Sequence, residues 1–189
     1  LTFDRAYDAL VQIIGEIANG FSFLMNSDKL SKNEKEQYQG IIQIKDGKYH
    51  MSDGVVISSL KVLSQLLTKH YGKNTIFIID EYDVPLDKAF QHGYYDEMVE
   101  LIRGILGKVL KTNDYLQFAI LTGCLRISKE SIFTGINNFK VLSILDARFD
   151  EQFGFSDDEV KNLLADYGLA SHFEEAKEWY DGYHFGNVD

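Results

Sequence analysis

Residues Thr75–Leu86 read TIFIIDEYDVPL, an apolar run that passes directly into carboxylates. The first five, Thr75–Ile79, are apolar or β-branched, which predicts a strand that is buried on both faces. Asp80 and Glu81 follow this strand at once. Because a central parallel strand delivers the next residues to the carboxyl edge of its sheet, where ligands of open α/β folds bind, we expect both carboxylates at a binding edge. The strand residues expected in the core are Ile76, Ile78 and Ile79.

Four apolar residues followed by Asp-Glu also form the pattern of a Walker B strand in P-loop NTPases. There the Asp holds Mg²⁺, usually through water, and the adjacent Glu polarises the attacking water. Acidic residues after a strand can equally be turn formers or helix caps, so the pattern alone leaves both interpretations open. A calcium loop is excluded, because alternate positions after Asp80 are Tyr82 and Val84, which cannot supply the side-chain ligands of an EF-hand.

Helices and strands alternate on both sides of this stretch. Amphipathic spacing predicts helices over 3–25, 53–70 and 95–111, and the capping box Ser31-x-x-Glu34 opens another helix to about Gln43. A second buried strand is predicted over 116–121, in a βαβ unit with the first, and a third over 141–145. Between these elements we expect a turn at 46–47, a loop with one helical turn over 86–94, and a short helix over 128–134.

This alternation predicts an α/β fold, with three α/β/α layers around a parallel sheet over residues 1–145. Beyond Asp146 the pattern becomes helical. A second capping box, Ser156-x-x-Glu159, opens a helix to about Tyr167, and another helix is predicted over 171–180. Residues 146–189 are therefore expected to form a small helical appendage. The aromatic residues expected in its core are Trp179, Tyr183 and Phe185.

Composition narrows the function classes. The 189 residues carry a formal net charge of −10, which repels phosphate backbones and disfavours nucleic-acid binding. Cys124 is the single cysteine, so an internal disulfide is impossible and a reducing compartment is favoured. The sequence contains neither a secretory signal nor eighteen consecutive apolar residues, so we expect a cytoplasmic location without a membrane partner.

Several catalytic motifs are missing from the sequence. The five histidines lack metal-ligand spacing, and neither G-x-S-x-G nor G-x-G-x-x-G occurs. The Gly-Lys pairs at Gly47, Gly72 and Gly107 are followed by Tyr, Asn and Val, whereas a Walker A loop requires Ser or Thr to reach Mg²⁺. The phosphate cradle of a P-loop NTPase must therefore lie upstream of Leu1, or the protein is not an NTPase.

Five stretches in order carry a family resemblance: IIDEYDVPLDKAF, YYDEMVELIRGIL, FAILTGCLRISKESIFTGINNFKV, FDEQFGFSDDEV and EWYDGYHFGN. Together they resemble the AAA-ATPase-like family of prokaryotic P-loop proteins, a branch related to signalling-type (STAND) NTPases. Members often carry a C-terminal nuclease-like domain of the PD-(D/E)XK type. The resemblance covers nearly the whole chain, is specific from Thr75 onward and is looser over 1–50. It implies a middle piece, with a Walker A loop upstream and a continuation downstream.

The resemblance assigns roles to four residues. Asp80 matches the Mg²⁺ ligand and Glu81 the catalytic carboxylate. Thr122 stands where such NTPases place a polar sensor of the γ-phosphate, and Arg126 matches a sensor arginine whose guanidinium would stabilise transition-state charge. The alternative for Arg126 is a structural ion pair with Asp80 or Asp83.

The function implied is part of a Mg²⁺-dependent ATPase that uses ATP binding and hydrolysis as a conformational switch. The full-length protein would bind ATP and Mg²⁺, whereas this chain, lacking the cradle, is expected to be inactive. The alternative is a degenerate NTPase scaffold that serves as a protein-interaction module. Because a neighbouring strand of the family sheet is missing, we also expect self-association through an exposed sheet edge or rearrangement of residues 1–50.

Overall fold

A computed structural model of the protein describes residues 2–124, 132–133, 139–143, 146–148, 152 and 154–180. The chain divides into two compact units, Leu1–Asn137 and Asn138–Asp189. The first unit combines helices with a parallel pair of strands, which confirms the α/β class. The domain boundary expected after residue 145 stays a prediction.

Five α-helices occupy the described part of the first unit. They are α1 (Phe3–Asn19), α2 (Lys32–Ile42), α3 (Asp53–Tyr71), α4 (Val84–His92) and α5 (Tyr95–Leu110). The first predicted helix is shorter than expected, because α1 ends before Gly20 and a separate 3-10 helix follows over Ser22–Asn26. The expected turn at 46–47 joins a hairpin of β1 (Ile44–Lys45) and β2 (Lys48–Tyr49), whose strands were not predicted.

All five helices contribute buried residues to the core of this unit, and α1, α2 and α3 pack together in one part of it. Tyr38 of α2 is completely buried, and its hydroxyl donates a hydrogen bond of 2.6 Å to the carbonyl oxygen of Ala18. Burial raises the pKa of Tyr38 to about 12. The ring of Tyr49 lies directly over Gly15 of α1, where a Cβ atom would clash with it. Glycine at position 15 therefore lets the hairpin pack closely on α1.

Glu34 links the start of α2 to α3. Its carboxylate closes the predicted capping box by accepting hydrogen bonds from the Ser31 amide (2.9 Å) and hydroxyl (2.8 Å). The other oxygen accepts from Lys69 at 2.5 Å. The hydrogen bond from Lys69, followed by that from the Ser31 backbone, lowers the pKa of Glu34 to about 2. A buried carboxylate is thus held ionised by donors from the N-cap residue of α2 and from α3.

The sheet of this unit consists of β3 (Thr75–Ile79) and β4 (Leu116–Leu121), which run parallel as predicted. The prediction that β3 is buried on both faces is wrong. Ile76 and Ile78 are 48% and 73% exposed, and Ile79 is partly buried. The two strands contact α3 and α5, and only alternate residues face inward. In the described part of the chain the opposite face has no covering layer, so the apolar run is half exposed.

The loop predicted over 86–94 is also wrong. It is the helix α4, which begins at Val84, carries Pro85 in its first turn and ends at Gly93 with φ 81°. Proline in the first turn costs no intrahelical hydrogen bond, so it starts this helix instead of stopping it. Leu86 and Ala89 are buried along its inner face.

The described part of the second unit contains α6 (Asp157–Asp166), a 3-10 helix over Ala170–His172 and α7 (Phe173–Tyr180). The Ser156–Glu159 capping box is confirmed. Trp179 is 77% exposed, so its expected place in a core is wrong. Tyr183 and Phe185 lie outside the described residues.

The strand predicted over 141–145 and the short helix predicted over 128–134 lie only partly within the described residues. Residues 141–143 form no strand, and residues 144–145 lie outside the described part. Residues 132 and 133 form a bend, and the rest of the short helix expected over 128–134 also lies outside it. None of the helices in the described ranges combines the length and hydropathy that crossing a membrane requires.

Candidate active site

The parallel pairing of β3 and β4 brings Asp80 and Thr122 together. Ile79 and Leu121 are partners in the register, so the residue that follows each strand emerges at the same edge. The Thr122 hydroxyl donates a hydrogen bond to Asp80 Oδ1, which also accepts one from the Glu81 amide at 3.1 Å. No described residue bonds the second oxygen, Oδ2. One carboxylate oxygen is thus fixed by two donors, and the other accepts no hydrogen bond from the described residues.

Backbone hydrogen bonds continue the ladder beyond both strands. The Thr122 amide donates to the Ile79 carbonyl at 2.9 Å, and the Tyr82 amide donates to the Thr122 carbonyl at 3.0 Å. The turn after β3 is therefore anchored on the residue that ends β4. The position of the Asp80 carboxylate relative to the Thr122 hydroxyl follows from this backbone arrangement.

Glu81 adopts a strained backbone at this edge. Its φ is 53°, in the left-handed region that residues with a Cβ rarely enter. The side chain is exposed and forms no hydrogen bond or ion pair with a described residue. Residues held in such conformations concentrate at functional sites, where the surrounding structure compensates for the strain. A solvent-facing carboxylate next to Asp80 can accept a proton from water.

Asp83 and Gly123 are two residues that sequence reasoning did not select. Asp83 is 4% exposed, and the position that a Cβ of Gly123 would take lies 2.6 Å from its Oδ1 atom. The only sequence signal for this contact is Gly123 directly after Thr122, and it does not identify a partner. Arg126, the expected sensor arginine, lies outside the described residues.

The donor set fits a hydrated Mg²⁺. This ion is usually held by one or two carboxylates together with waters and substrate phosphates. Asp80 supplies one carboxylate whose Oδ2 no described residue bonds, and Thr122 supplies the adjacent hydroxyl. Across the described ranges no group of three or more His, Cys, Asp or Glu side chains could form a metal cage. The chemistry available is that of a water-mediated contact at Asp80.

No phosphate cradle is present in the described part of the chain. Gly47 lies in the β1–β2 hairpin, Gly72 ends α3 with φ 70°, and Gly107 lies within α5. A phosphate-binding loop connects a strand to the N-terminus of a helix, where free amides point at the anion. None of the three Gly-Lys pairs has this setting. Residues beyond those described must hold the phosphates of any nucleotide.

Comparison with known proteins identifies the family of this chain. Residues 13–133, which include both strands and the Asp80 edge, match a family model described as "Predicted AAA-ATPase". The chain belongs to this AAA-ATPase-like family. Membership associates it in general terms with binding of ATP.

The AAA-ATPase-like chain also has a relative in Azotobacter chroococcum mcd 1, described as "Uncharacterized protein in vnfD 5'region". The two are 28% identical over 115 residues, which are 60% of this chain and 22% of the relative. The chain thus spans about a fifth of the length of the relative. No solved structure matches it.

Proposed function

We propose that this chain supplies the metal and water side of the ATP site in a Mg²⁺-dependent ATPase. The observation that carries the proposal is the Asp80–Thr122 hydrogen bond at the carboxyl ends of two parallel strands. This edge is where open α/β sheets bind ligands. In the intact protein we expect the two strands to belong to a three-layer P-loop sheet, within a domain that spans residues 1–145 here.

Each side chain at the edge has a separate task. Asp80 would hold the hydrated metal through Oδ2, because Oδ1 is fixed by the Thr122 hydroxyl and the Glu81 amide. Bound Mg²⁺ would neutralise charge on the phosphates. Glu81 extends into solvent and accepts the proton of the attacking water. Thr122 is the proposed polar sensor of the γ-phosphate, and its hydroxyl, through the hydrogen bond that it donates to Asp80, keeps that carboxylate in place.

Arg126 completes the proposed site as the sensor arginine. Its guanidinium would stabilise charge that develops in the transition state, so its removal should lower turnover more than affinity. We place the protein among STAND-related NTPases of the cytoplasm that convert ATP hydrolysis into a conformational switch. Residues 146–189 would begin the proposed appendage, and we propose that a nuclease-like domain follows it in the longer polypeptide.

The test is ATP turnover and nucleotide affinity in the intact protein. Glu81→Gln keeps size and hydrogen bonding but removes the base, so turnover should fall by roughly 10²-fold or more while ATP affinity is retained. Asp80→Asn should weaken Mg²⁺-dependent nucleotide binding as well. The matched control is Asp87→Asn on α4, where the carboxylate accepts a hydrogen bond of 2.7 Å from Gln91 of the same helix. This control should leave both quantities unchanged.

The degenerate-scaffold alternative predicts a different result. If Glu81→Gln hydrolyses ATP at the parent rate, Glu81 is not the base. If the intact protein binds no nucleotide, Asp80 and Glu81 are structural and the domain acts as an interaction module. The exposed apolar face of the sheet is the observation that favours this second function. It also supports self-association of the chain, which is tested separately from ATP turnover.

A further inference from the structure

Asp83 is one of two buried carboxylates among the described residues. The other, Glu34, is accounted for by its donors from Ser31 and Lys69. Asp83 precedes α4 in the position of a helix cap, yet its side chain makes no capping hydrogen bond. Its backbone has φ −84° and ψ −22°, which is helical, whereas capping residues are usually extended. The side chain of Asp83 therefore does not cap α4, and it approaches the end of β4 closely at Gly123.

Gly123 provides the surface on which Asp83 lies. A Cβ atom at position 123 would be 2.6 Å from Asp83 Oδ1, 3.0 Å from Asp83 Cγ and 2.9 Å from Tyr82 Cε1. Real Cβ atoms do not approach other atoms so closely. The φ of Gly123 is not in the left-handed region, so glycine is required here by space and not by backbone conformation.

We propose that Asp83 and Gly123 act as a latch that positions Thr122 against Asp80. Gly123 directly follows Thr122, and Asp83 ends the turn that Asp80 begins. Close contact between the two holds the end of β4 on this turn, where the Tyr82 amide reaches the Thr122 carbonyl at 3.0 Å. A larger residue at position 123 would push Thr122 away and release Asp80 Oδ1. Asp83 and Gly123 are thus positioning residues, and their catalytic meaning rests on the proposed function.

The first test needs only this 189-residue chain and no nucleotide. In Gly123→Ala, the amide resonances of Tyr82 and Thr122 should shift and exchange faster with solvent, since both amides bridge the latched segments. The matched control is Gly107→Ala, because a Cβ at position 107 meets no atom within 4 Å. It should leave both resonances in place. Unchanged Tyr82 and Thr122 amides in Gly123→Ala would overturn the latch.

A double variant tests whether the two residues act on each other. Asp83→Ala removes the carboxylate that the methyl group of Gly123→Ala would meet. In the Asp83→Ala background, Gly123→Ala should therefore shift the Thr122 amide resonance by less than half as much as it does in the parent chain. Equal shifts in both backgrounds would overturn the proposal. If Gly123→Ala alone does not fold, the latch predicts that the double variant does, and its failure to fold would also overturn it.

The last readout links the latch to the metal ligand in the intact protein. Gly123→Ala should raise the Mg²⁺ concentration for half-maximal ATP turnover by roughly 10–100-fold, the usual effect of removing a group that orients a ligand. Gly107→Ala should not change it. A shifted Thr122 amide with an unchanged Mg²⁺ requirement would exclude the positioning role. Loss of the proposed function is distinguishable, because the parent protein would then hydrolyse no ATP while the amide comparison still tests the latch.

Discussion

Glu81 occupies a backbone conformation that is unfavourable for its residue type. With φ 53° it lies in the left-handed region, which costs a residue with a Cβ about 1–2 kcal/mol. We therefore expect Glu81→Gly to raise the free energy of unfolding by about 0.5–1 kcal/mol, although it removes the proposed catalytic base. Urea denaturation of the 189-residue chain measures this change. A gain in stability with a loss of turnover in the intact protein would show that Glu81 is kept for function.

Thr112 is the control for this prediction. It also has a positive φ, of 51°, in the turn that follows α5. Thr112→Gly should give a similar gain in stability, but it should leave ATP turnover of the intact protein unchanged. If Glu81→Gly instead destabilises the chain, the side chain makes stabilising contacts and the scaffold alternative gains support.

At the scale of elements, periodicity located the helices that have one continuous buried face. The buried residues Val56 and Leu63 of α3 recur at helical spacing, as do Met98 and Ile105 of α5. The helix α4 was predicted only as a loop with one helical turn, although Pro85 lies in its first turn, where proline costs no intrahelical hydrogen bond. The sequence shows which side chains are apolar, but it does not show whether neighbouring elements cover them. For this reason the exposure of one face of β3 was not predicted.

Of the two residue pairs at the candidate site, the sequence could predict only one. The meeting of Asp80 and Thr122 was predictable, because residues after neighbouring parallel strands emerge at one edge. The contact between Asp83 and Gly123 was not, because it depends on how closely two loops approach in three dimensions. Left-handed backbone at Glu81 was equally invisible in the sequence, since glutamate has no preference for that region.

The link between α2 and α3 predicts a pH-dependent stability. The pKa of Glu34 is lowered to about 2, with the hydrogen bond from Lys69 as the largest cause. A lowered pKa contributes stability above the unfolded value of about 4.5, and this contribution is lost as the pH falls toward 2. Glu34→Gln should therefore destabilise the chain by roughly 1.5–3 kcal/mol at pH 7, the range for hydrogen bonds to a charged group. The difference between parent and variant should shrink in acid.

Urea midpoints between pH 7 and pH 2.5 measure this effect. The control is Glu36→Gln on the same helix, where the carboxylate pairs with Lys32 at 3.9 Å and both side chains are exposed. Such surface pairs contribute little, so this variant should follow the parent at every pH. A pH-independent difference between the parent and Glu34→Gln would show that the ion pair is not the source of the stability.

At the scale of the whole molecule, the uncovered face of the sheet predicts self-association of the 189-residue chain. Ile76 pairs with Phe118 and Ile78 with Ile120 across the register, and all four side chains are 45–73% exposed. Apolar strands with a free edge readily pair with another chain, and a lysine on such a strand prevents this. Sedimentation equilibrium should therefore show concentration-dependent dimers that Ile78→Lys abolishes. Ile13→Lys, which places the same charge on an exposed isoleucine of α1, should leave them intact. A monomeric parent at all concentrations, or equal loss in both variants, would contradict association through the sheet.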